Sequence, residues 1–564
     1  MKISMRTISK IGISTAAILG ISAAASAQTP LYDIVGDGSN DRLGVDADAA
    51  GDVNNDGVQD FIIGAPENGN VFAGGVGYAR VYSGSDGSPI ITLFGSQGAG
   101  SFGTSVAGVG DIDADGFDDF VVGSPFNDGG GLSRGRIDVF SGQTGGIIFS
   151  RFGSLNGDQL GENVIGLGDV NNDGTPDLAA CAFSSDLVAL NTGTVRVYSG
   201  LNGDILHNFE GTISNAHLGV SMDDIGDFNG DGFDDILAGG LSGPVTVFSG
   251  QTGAILKDYP DPVGGSAWGV SASSLGDITG DGVHDVIIGG TQNAVLGVGG
   301  PGFINVLNGA TGGLLIEEMG SSMGDAFGAS ADSAGDFNGD GVTDFIVGAT
   351  VAADNTNPGY ARIYSGSNSA ILATFNAASN GSNLGAWVGL LGDLNGDGSV
   401  EVGVAQPEFS APGPFTGTLQ VYTGVPELCD PPQIYCLSTP NTTGLSAKIA
   451  WSGSNSFAAN DLVLLASDCP ANQMGIFFFG PNQVFIPFGS GVRCVGGGLF
   501  RKPPVTTTDA NGDVIAALDL NGLPNANGQI LEGETWNFQL WFRDPGDGNA
   551  NTNLTDALEV TFCP

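Results

Sequence analysis

The sequence predicts an all-β chain, a seven-bladed β-propeller followed by a small β-sandwich-like domain. Three observations predict it. An acidic nine-residue loop recurs seven times in register. Apolar runs of strand length follow each copy, separated by Gly, Asn, Asp and Ser turns. Helical periodicity is nearly absent.

The first element is a targeting segment. Lys2, Arg6 and Lys10 form a positive region ahead of the apolar run at 11–25, and Ala25-Ser26-Ala27 is a small-residue cleavage site. Residues 1–27 therefore read as a signal peptide, with an exported mature protein that is extracellular, on the cell surface or periplasmic. No later stretch is long and apolar enough to span a bilayer.

The propeller is expected over 28–426. Its loops start at Asp52, Asp111, Asp169, Asp227, Asp277, Asp336 and Asp393, at spacings of 59, 58, 58, 50, 59 and 57 residues. Each loop is preceded by a hydrophobic-Gly pair and a strand-like segment, as in "SFGTSVAGVGD". Each is followed by a β-branched run such as "FIIGAP" (61–66), an alternating segment such as "ARVYSG", and a fourth apolar piece such as "PIITLFG" (89–95). Four strands per unit and seven units make a propeller, in which blades bury their faces on one another. The last unit stops after "LQVYTG", while "TPLYDIVG" near the N-terminus aligns with the fourth strand of other units. Residues 31–35 are thus expected to complete the last blade by pairing with 418–422.

Residues 427–564 form the second domain. Strand patterns at 462–467, 475–480, 484–489, 535–544 and 557–563 suggest a small sandwich. Cys429, Cys436, Cys469, Cys494 and Cys563 suggest two disulfides and one unpaired thiol. Cys181 reads as a buried small hydrophobe. The oxygen-rich stretch 543–556 is read as a polar loop in preference to a further cation site.

Each acidic loop joins the innermost strand of a blade to the second. Side-chain oxygens at positions 1, 3, 5 and 9 and the carbonyl at position 7 can surround one hard cation, and the Gly at position 6 permits the bend. Calcium fits better than zinc or copper because every donor is oxygen. An EF-hand is excluded: a strand follows the loop where a helix should, and position 12 is Ile63 in the first copy and Ala238 in the fourth.

These residues resemble the FG-GAP repeat of integrin α-subunit headpieces and of many exported bacterial proteins. The resemblance covers 30–424 and implies a seven-bladed propeller binding up to seven calcium ions in its blade loops. The implied ligands are Asp52, Asn54, Asp56, the Val58 carbonyl and Asp60 in the first copy, then Asp111, Asp113, Asp115, the Phe117 carbonyl and Asp119. The third and fourth sets are Asp169, Asn171, Asp173, Thr175 and Asp177, then Asp227, Asn229, Asp231, Phe233 and Asp235. The remaining sets are Asp277, Thr279, Asp281, Val283 and Asp285; Asp336, Asn338, Asp340, Val342 and Asp344; and Asp393, Asn395, Asp397, Ser399 and Glu401. Thr279 at position 3 and Glu401 at position 9 depart from the pattern and alter those two sites. "GAP" itself is intact only at Gly64-Ala65-Pro66.

Composition narrows the function. Asp+Glu number 61 against Lys+Arg 16, a net charge of -45, which argues against nucleic acid and anionic membrane as partners. No catalytic constellation stands out. His207, His217 and His284 lack metal-ligand companions. Ser105, Ser221, Ser271 and Ser330 share one strand register, which packing explains. No nucleophile elbow, P-loop or dinucleotide fingerprint is present. A non-catalytic propeller that binds or adheres to an extracellular protein or glycan is favoured. An extracellular hydrolase or lyase and a structural surface scaffold are the alternatives.

Overall fold

A computed structural model describes residues 30–562, except 68–74, 97–99, 130, 293–299, 351–358, 378–380, 411–412, 425–431, 453–461, 521–522, 524–528, 531–533 and 547–550. The proposed signal peptide lies outside the described residues.

Seven four-stranded antiparallel sheets make up the first part of the chain. Their innermost strands are Ala47–Gly51, Val106–Gly110, Leu160–Leu167, Ser221–Gly226, Trp268–Ser274, Phe327–Gly335 and Val388–Gly392. We call the sheets blades 1 to 7 in that order. Within a blade the strands run as a meander from the axis outward: blade 1 continues through Asp60–Ala65 and Tyr78–Tyr82 to Pro89–Phe94. The second strands are buried on both faces, as expected for sheets sandwiched between neighbours.

Seven hydrophobic cores lie between the blades. One joins Ile62, Ala79 and Val81 of blade 1 to Phe102, Phe120 and Val122 of blade 2. Corresponding clusters join each later pair, and the seventh joins Leu391, Leu419 and Val421 of blade 7 to Phe61, Ile63 and Tyr82 of blade 1. The ring is therefore closed by the same kind of packing that builds it. At about 1.5–3 kcal/mol for each fully buried large apolar side chain, these interfaces are the main source of stability.

Closure has the expected topology. The N-terminal strand Tyr32–Val35 is the outer strand of blade 7, pairing Tyr32 with Val421 and Val35 with Thr418. Tyr32 also donates its hydroxyl to the Gly84 carbonyl (2.6 Å), which ties this strand to blade 1.

The glycines that recur in the repeat mark where blades touch. A Cβ on Gly64 of blade 1 would lie 2.1 Å from the Gly103 carbonyl of blade 2, and one on Gly348 would lie 2.0 Å from the Gly385 carbonyl. The hydrophobic-Gly pair of one unit thus abuts the small-residue strand end of the unit before it. Cys181 occupies this place in blade 3, fully buried against Gly219, and is a free thiol.

The C-terminal domain has a larger sheet, a three-stranded sheet and a hairpin. Its core joins Ile449, Leu464 and Val514 of the small sheet to Phe477, Phe479, Phe538 and Leu540 of the large one, the packing of a sandwich. Cys436 and Cys494 form a disulfide, whereas Cys469 is free and buried. Cys429 and Cys563 lie outside the described residues. The stretch 543–556 is less of a loop than expected: the last strand begins at Thr552, because Asn553, Leu554 and Thr555 are buried against the neighbouring strand Thr535–Arg543.

Candidate functional site

The acidic loops share one hydrogen-bonded frame. At position 1, one carboxylate oxygen accepts the N–H of position 5 and the other that of position 6, as in Asp56 and Gly57 to Asp52 (2.9 and 2.8 Å) and Asp231 and Gly232 to Asp227 (2.9 and 2.8 Å). All seven copies repeat this pair. The position-6 glycines hold φ between 81° and 91°, the left-handed region that a side chain would strain. The position-5 carboxylate caps the N–H of position 7, as at Asp56 and Val58 (2.9 Å).

Position 9 is different. Its carboxylate is buried at the base of the loop in every copy. In blade 4, Asp235 accepts the N–H of Asn229 in its own loop (3.2 Å) and of Gly250 at the end of the third strand (3.0 Å). Gly84, Gly142, Gly200, Gly309 and Gly366 make the equivalent bond in blades 1, 2, 3, 5 and 6. A side chain there is excluded: a Cβ on Gly250 would lie 2.0 Å from the Asp234 carbonyl. In blade 7 the longer Glu401 bonds instead to Leu394 N–H (2.6 Å) and to the Asn395 amide (2.9 Å). The matching Gly424 donates to the Val400 carbonyl (2.8 Å).

These glycines and their neighbours are partners of the loop carboxylates that the sequence reading missed. Ser199 and Ser367 donate hydroxyls to the position-5 carboxylates Asp173 (3.3 Å) and Asp340 (2.8 Å). In blade 5 the Asn308 side-chain amide takes this role, donating to the Asp281 carboxylate (2.6 Å) and to the hydroxyl of the aberrant Thr279 (3.1 Å). The signal was the Ser-Gly or Asn-Gly pair that ends the third strand in blades 1 to 6; blade 7 has Thr423-Gly424 there.

Burial, above all, pushes the position-9 carboxyls upward, to about 6 at Asp60, Asp119, Asp177 and Asp235 and to about 7 at Asp344 and Glu401. Asp285 shifts the same way. Among the described residues, one group of His, Cys, Asp or Glu brings its ligand atoms within 4.8 Å of one another: Asp111, Asp113 and Asp115. The other loops carry Asn or Thr at position 3. Asn54, Asn171, Asn229, Asn338 and Asn395 direct their amide nitrogens toward the position-9 carboxylate. Their amide oxygens are then the ends available to a cation. The donor chemistry fits a hard divalent ion, with oxygen at every candidate position.

The histidines and serines have structural partners. His207 bonds the Gly250 carbonyl (2.7 Å), and His217 bonds the Phe183 carbonyl (2.9 Å) and stacks on its ring. His284 meets Ser274 (3.3 Å). Ser221 and Ser271 donate to carbonyls of the next blade, Gly269 (2.8 Å) and Gly328 (2.9 Å), while Ser105 and Ser330 accept N–H groups of Val164 and Val388.

A second acidic feature lines the propeller axis, where the inner strands leave a cavity of about 610 Å³. Asp46, Asp48, Asp223, Asp224 and Asp332 line it, and no Lys, Arg or His does. Ser273 lies 2.8 Å from Asp223 and 2.5 Å from Asp332. One hydroxyl proton serves one of these contacts, so the other is favourable only when its carboxyl is protonated. Burial pushes both aspartates above the ordinary range, and it lifts Asp46 to about 6 and Asp224 to about 7.

The FG-GAP-like repeat family matches residues 227–288, and the FG-GAP repeat family matches residues 102–140 and 327–364. The chain is similar to integrin alpha-5 of Xenopus laevis, 32% identical over 195 residues, which is 32% of this chain and 18% of that protein. It is also similar to human integrin alpha-IIb, 34% identical over 160 residues, 25% and 15% of the two chains. Integrin alpha-V of Gallus gallus is 30% identical over 191 residues, 31% and 18% of the two chains. The matches span less than a fifth of these relatives' own length.

Proposed function

Starting from a chain that is an FG-GAP-repeat propeller of integrin-α type, we propose that it is an exported, calcium-binding, non-catalytic module that engages an extracellular protein or glycan. The observation that carries this reading is the repetition of one pinned acidic loop in all seven blades. A catalytic site is singular, whereas a feature repeated in every blade serves the scaffold. Each loop would hold calcium through positions 1, 3 and 5, the position-7 carbonyl and the position-9 carboxylate. The ion would supply positive charge that neutralises the cluster and stiffens the hairpin.

The strand meander supports a division of labour between the propeller faces. Loops between first and second strands share one face with the turns between third and fourth strands. Connections between second and third strands, and between blades, emerge on the other. That opposite face carries exposed apolar side chains: Leu132, Leu155, Leu187, Leu190, Ile213 and Met323. Leu132 and Met323 are 73% and 71% exposed. These exposed side chains support a reading in which the partner is met on that face and calcium is held on the other.

The test is binding of the full chain to immobilised extracellular-matrix proteins and a glycan array, with a polysaccharide and ester activity screen alongside. Calcium-dependent binding that a Leu132→Asp/Leu190→Asp variant loses at unchanged melting temperature is the expected result. Turnover of any screened substrate, or binding indifferent to that variant, would overturn the reading.

A further inference from the structure

We propose that the C-terminal domain carries a binding cleft for a small amphipathic anion, an apolar or aromatic body ending in a sulfonate, sulfate or carboxylate.

The cleft arises from the two faces of the larger sheet. Along Met474–Gly480, Phe477 and Phe479 turn into the sandwich core with Phe538 and Leu540. Ile476 and Phe478 point the other way, and the pairing of Ile476 with Trp541 sets these two side by side. This second face is only partly covered, by the hairpin of Asn482–Phe488 and Gly491–Gly496. The Cys436–Cys494 disulfide fastens the hairpin down, as do the Gln539 side-chain bonds to Cys494 N–H and the Val492 carbonyl (both 2.9 Å). What remains open is a cavity of about 520 Å³ with a floor of Ile476, Phe478 and Trp541. Its size falls within the roughly 300–1,000 Å³ typical of small-ligand pockets.

The charge at this cleft is opposite to that of the molecule. Beyond residue 427 the chain has only three arginines, and all three, Arg493, Arg501 and Arg543, line the cavity. In the propeller every described arginine has a polar partner: Arg42, Arg80, Arg136 and Arg196 pair with Glu408, Asp37, Asp138 and Asp158, while Arg134 and Arg151 donate to the carbonyls of Gly153 and Gly203 and Arg362 to the Ser321 hydroxyl. Among the described residues the three cleft arginines form no ion pair, and the Nε of Arg493 is buried without a hydrogen-bond partner. In a chain of net charge -45, three unpaired guanidinium groups around one apolar floor are a site waiting for an anion. Their planar forks suit a carboxylate or sulfate oxygen pair. A fully hydrated anion would leave the aromatic floor unused, so the ligand needs an apolar body as well.

The probe is 8-anilinonaphthalene-1-sulfonate, titrated into the full-length protein and read by dye fluorescence. Its neutral counterpart is N-phenyl-1-naphthylamine, the same rings without the sulfonate. Saturable binding of the sulfonate is expected, with the neutral dye at least about tenfold weaker. Arg501→Gln/Arg543→Gln, at exposed positions where folding is insensitive, should lose about tenfold in sulfonate affinity at unchanged melting temperature. Octyl sulfate should displace the dye. Equal affinity for the two dyes, or a double variant that binds the sulfonate as the parent does, would overturn the proposal. Displacement by poly-glutamate but not by octyl sulfate would overturn it in favour of an acidic polymer.

Discussion

Single residues in this protein do two jobs where an acidic loop meets a blade. The position-9 carboxylate is a candidate ligand and also the joint between loop and third strand, and a glycine on the far side makes that joint possible. Gly250→Ala places a methyl group against the Asp234 carbonyl. A loss of about 1–3 kcal/mol is expected, as for other overpacked sites, read as a lower melting temperature; an unchanged melt would mean that the joint is not tight. On the axis, the buried aspartates set a pH dependence. Asp223 and Asp332 are held above the ordinary aspartate range by burial. Their stabilising contribution is complete below that range and is lost as pH rises through the raised folded values. The groups facing them, Asp46, Asp48, Asp224 and Ser273, include no cation. Asp223→Asn keeps an acceptor for the Ser274 N–H but removes the charge. Its melting temperature should gain on the parent between about pH 4 and about pH 8, as Asp223 is pushed up to about 8, and a difference that is flat with pH would refute this account.

Blades are the elements on which packing acts, and the last one is assembled from both ends of the propeller. Tyr32–Val35 covers the edge of Thr418–Thr423, which would otherwise present unpaired backbone groups to other chains. Removing residues 28–36 should lower the melting temperature and produce self-association in size-exclusion chromatography. A truncated chain that stays monomeric with the parent's melt would show that closure rests on the blade 7–blade 1 core alone. That core is substantial, with Phe61, Tyr82, Leu391 and Leu419 buried in it, so loss of solubility is expected before loss of the whole fold.

The whole molecule combines a heavy negative charge with seven places where that charge concentrates. Each loop holds three carboxylates at its ligand positions, and the second holds four. Extracellular calcium modules bind with dissociation constants of about 10⁻⁴–10⁻³ M. At about tenfold higher free calcium, each site would add roughly 1.4 kcal/mol, and the set would approach the ~5–15 kcal/mol stability of an entire domain. Chelation should therefore lower the melting temperature sharply, and Asp231→Ala by a smaller step. An unchanged melt in chelator, together with no calcium found by elemental analysis, would remove calcium from the account of the loops.

The sequence by itself determined the all-β class, the number and register of the acidic loops, the strand that closes the last blade and some of the strands of the second domain. These are local or periodic properties: a nine-residue spacing, a strand-length apolar run, and a unit that lacks its fourth strand while a matching segment stands at the other end. Only the tertiary structure decided which residues meet across long separations. Gly250 is 15 residues from Asp235, Ser273 is 50 from Asp223 and 59 from Asp332, and Arg493 and Arg543 come to one cleft from different strands. The glycine pairing recurs from blade to blade, but its partner is not legible in the repeat, and the axial and cleft pairings leave no periodic trace, because they depend on how sheets stack and which face of a strand the core claims. A carboxylate looks alike in sequence whether it stands at a loop tip, at the base of a loop or on the axis. Burial and the neighbouring N–H groups separate the three, and the fold alone supplies them.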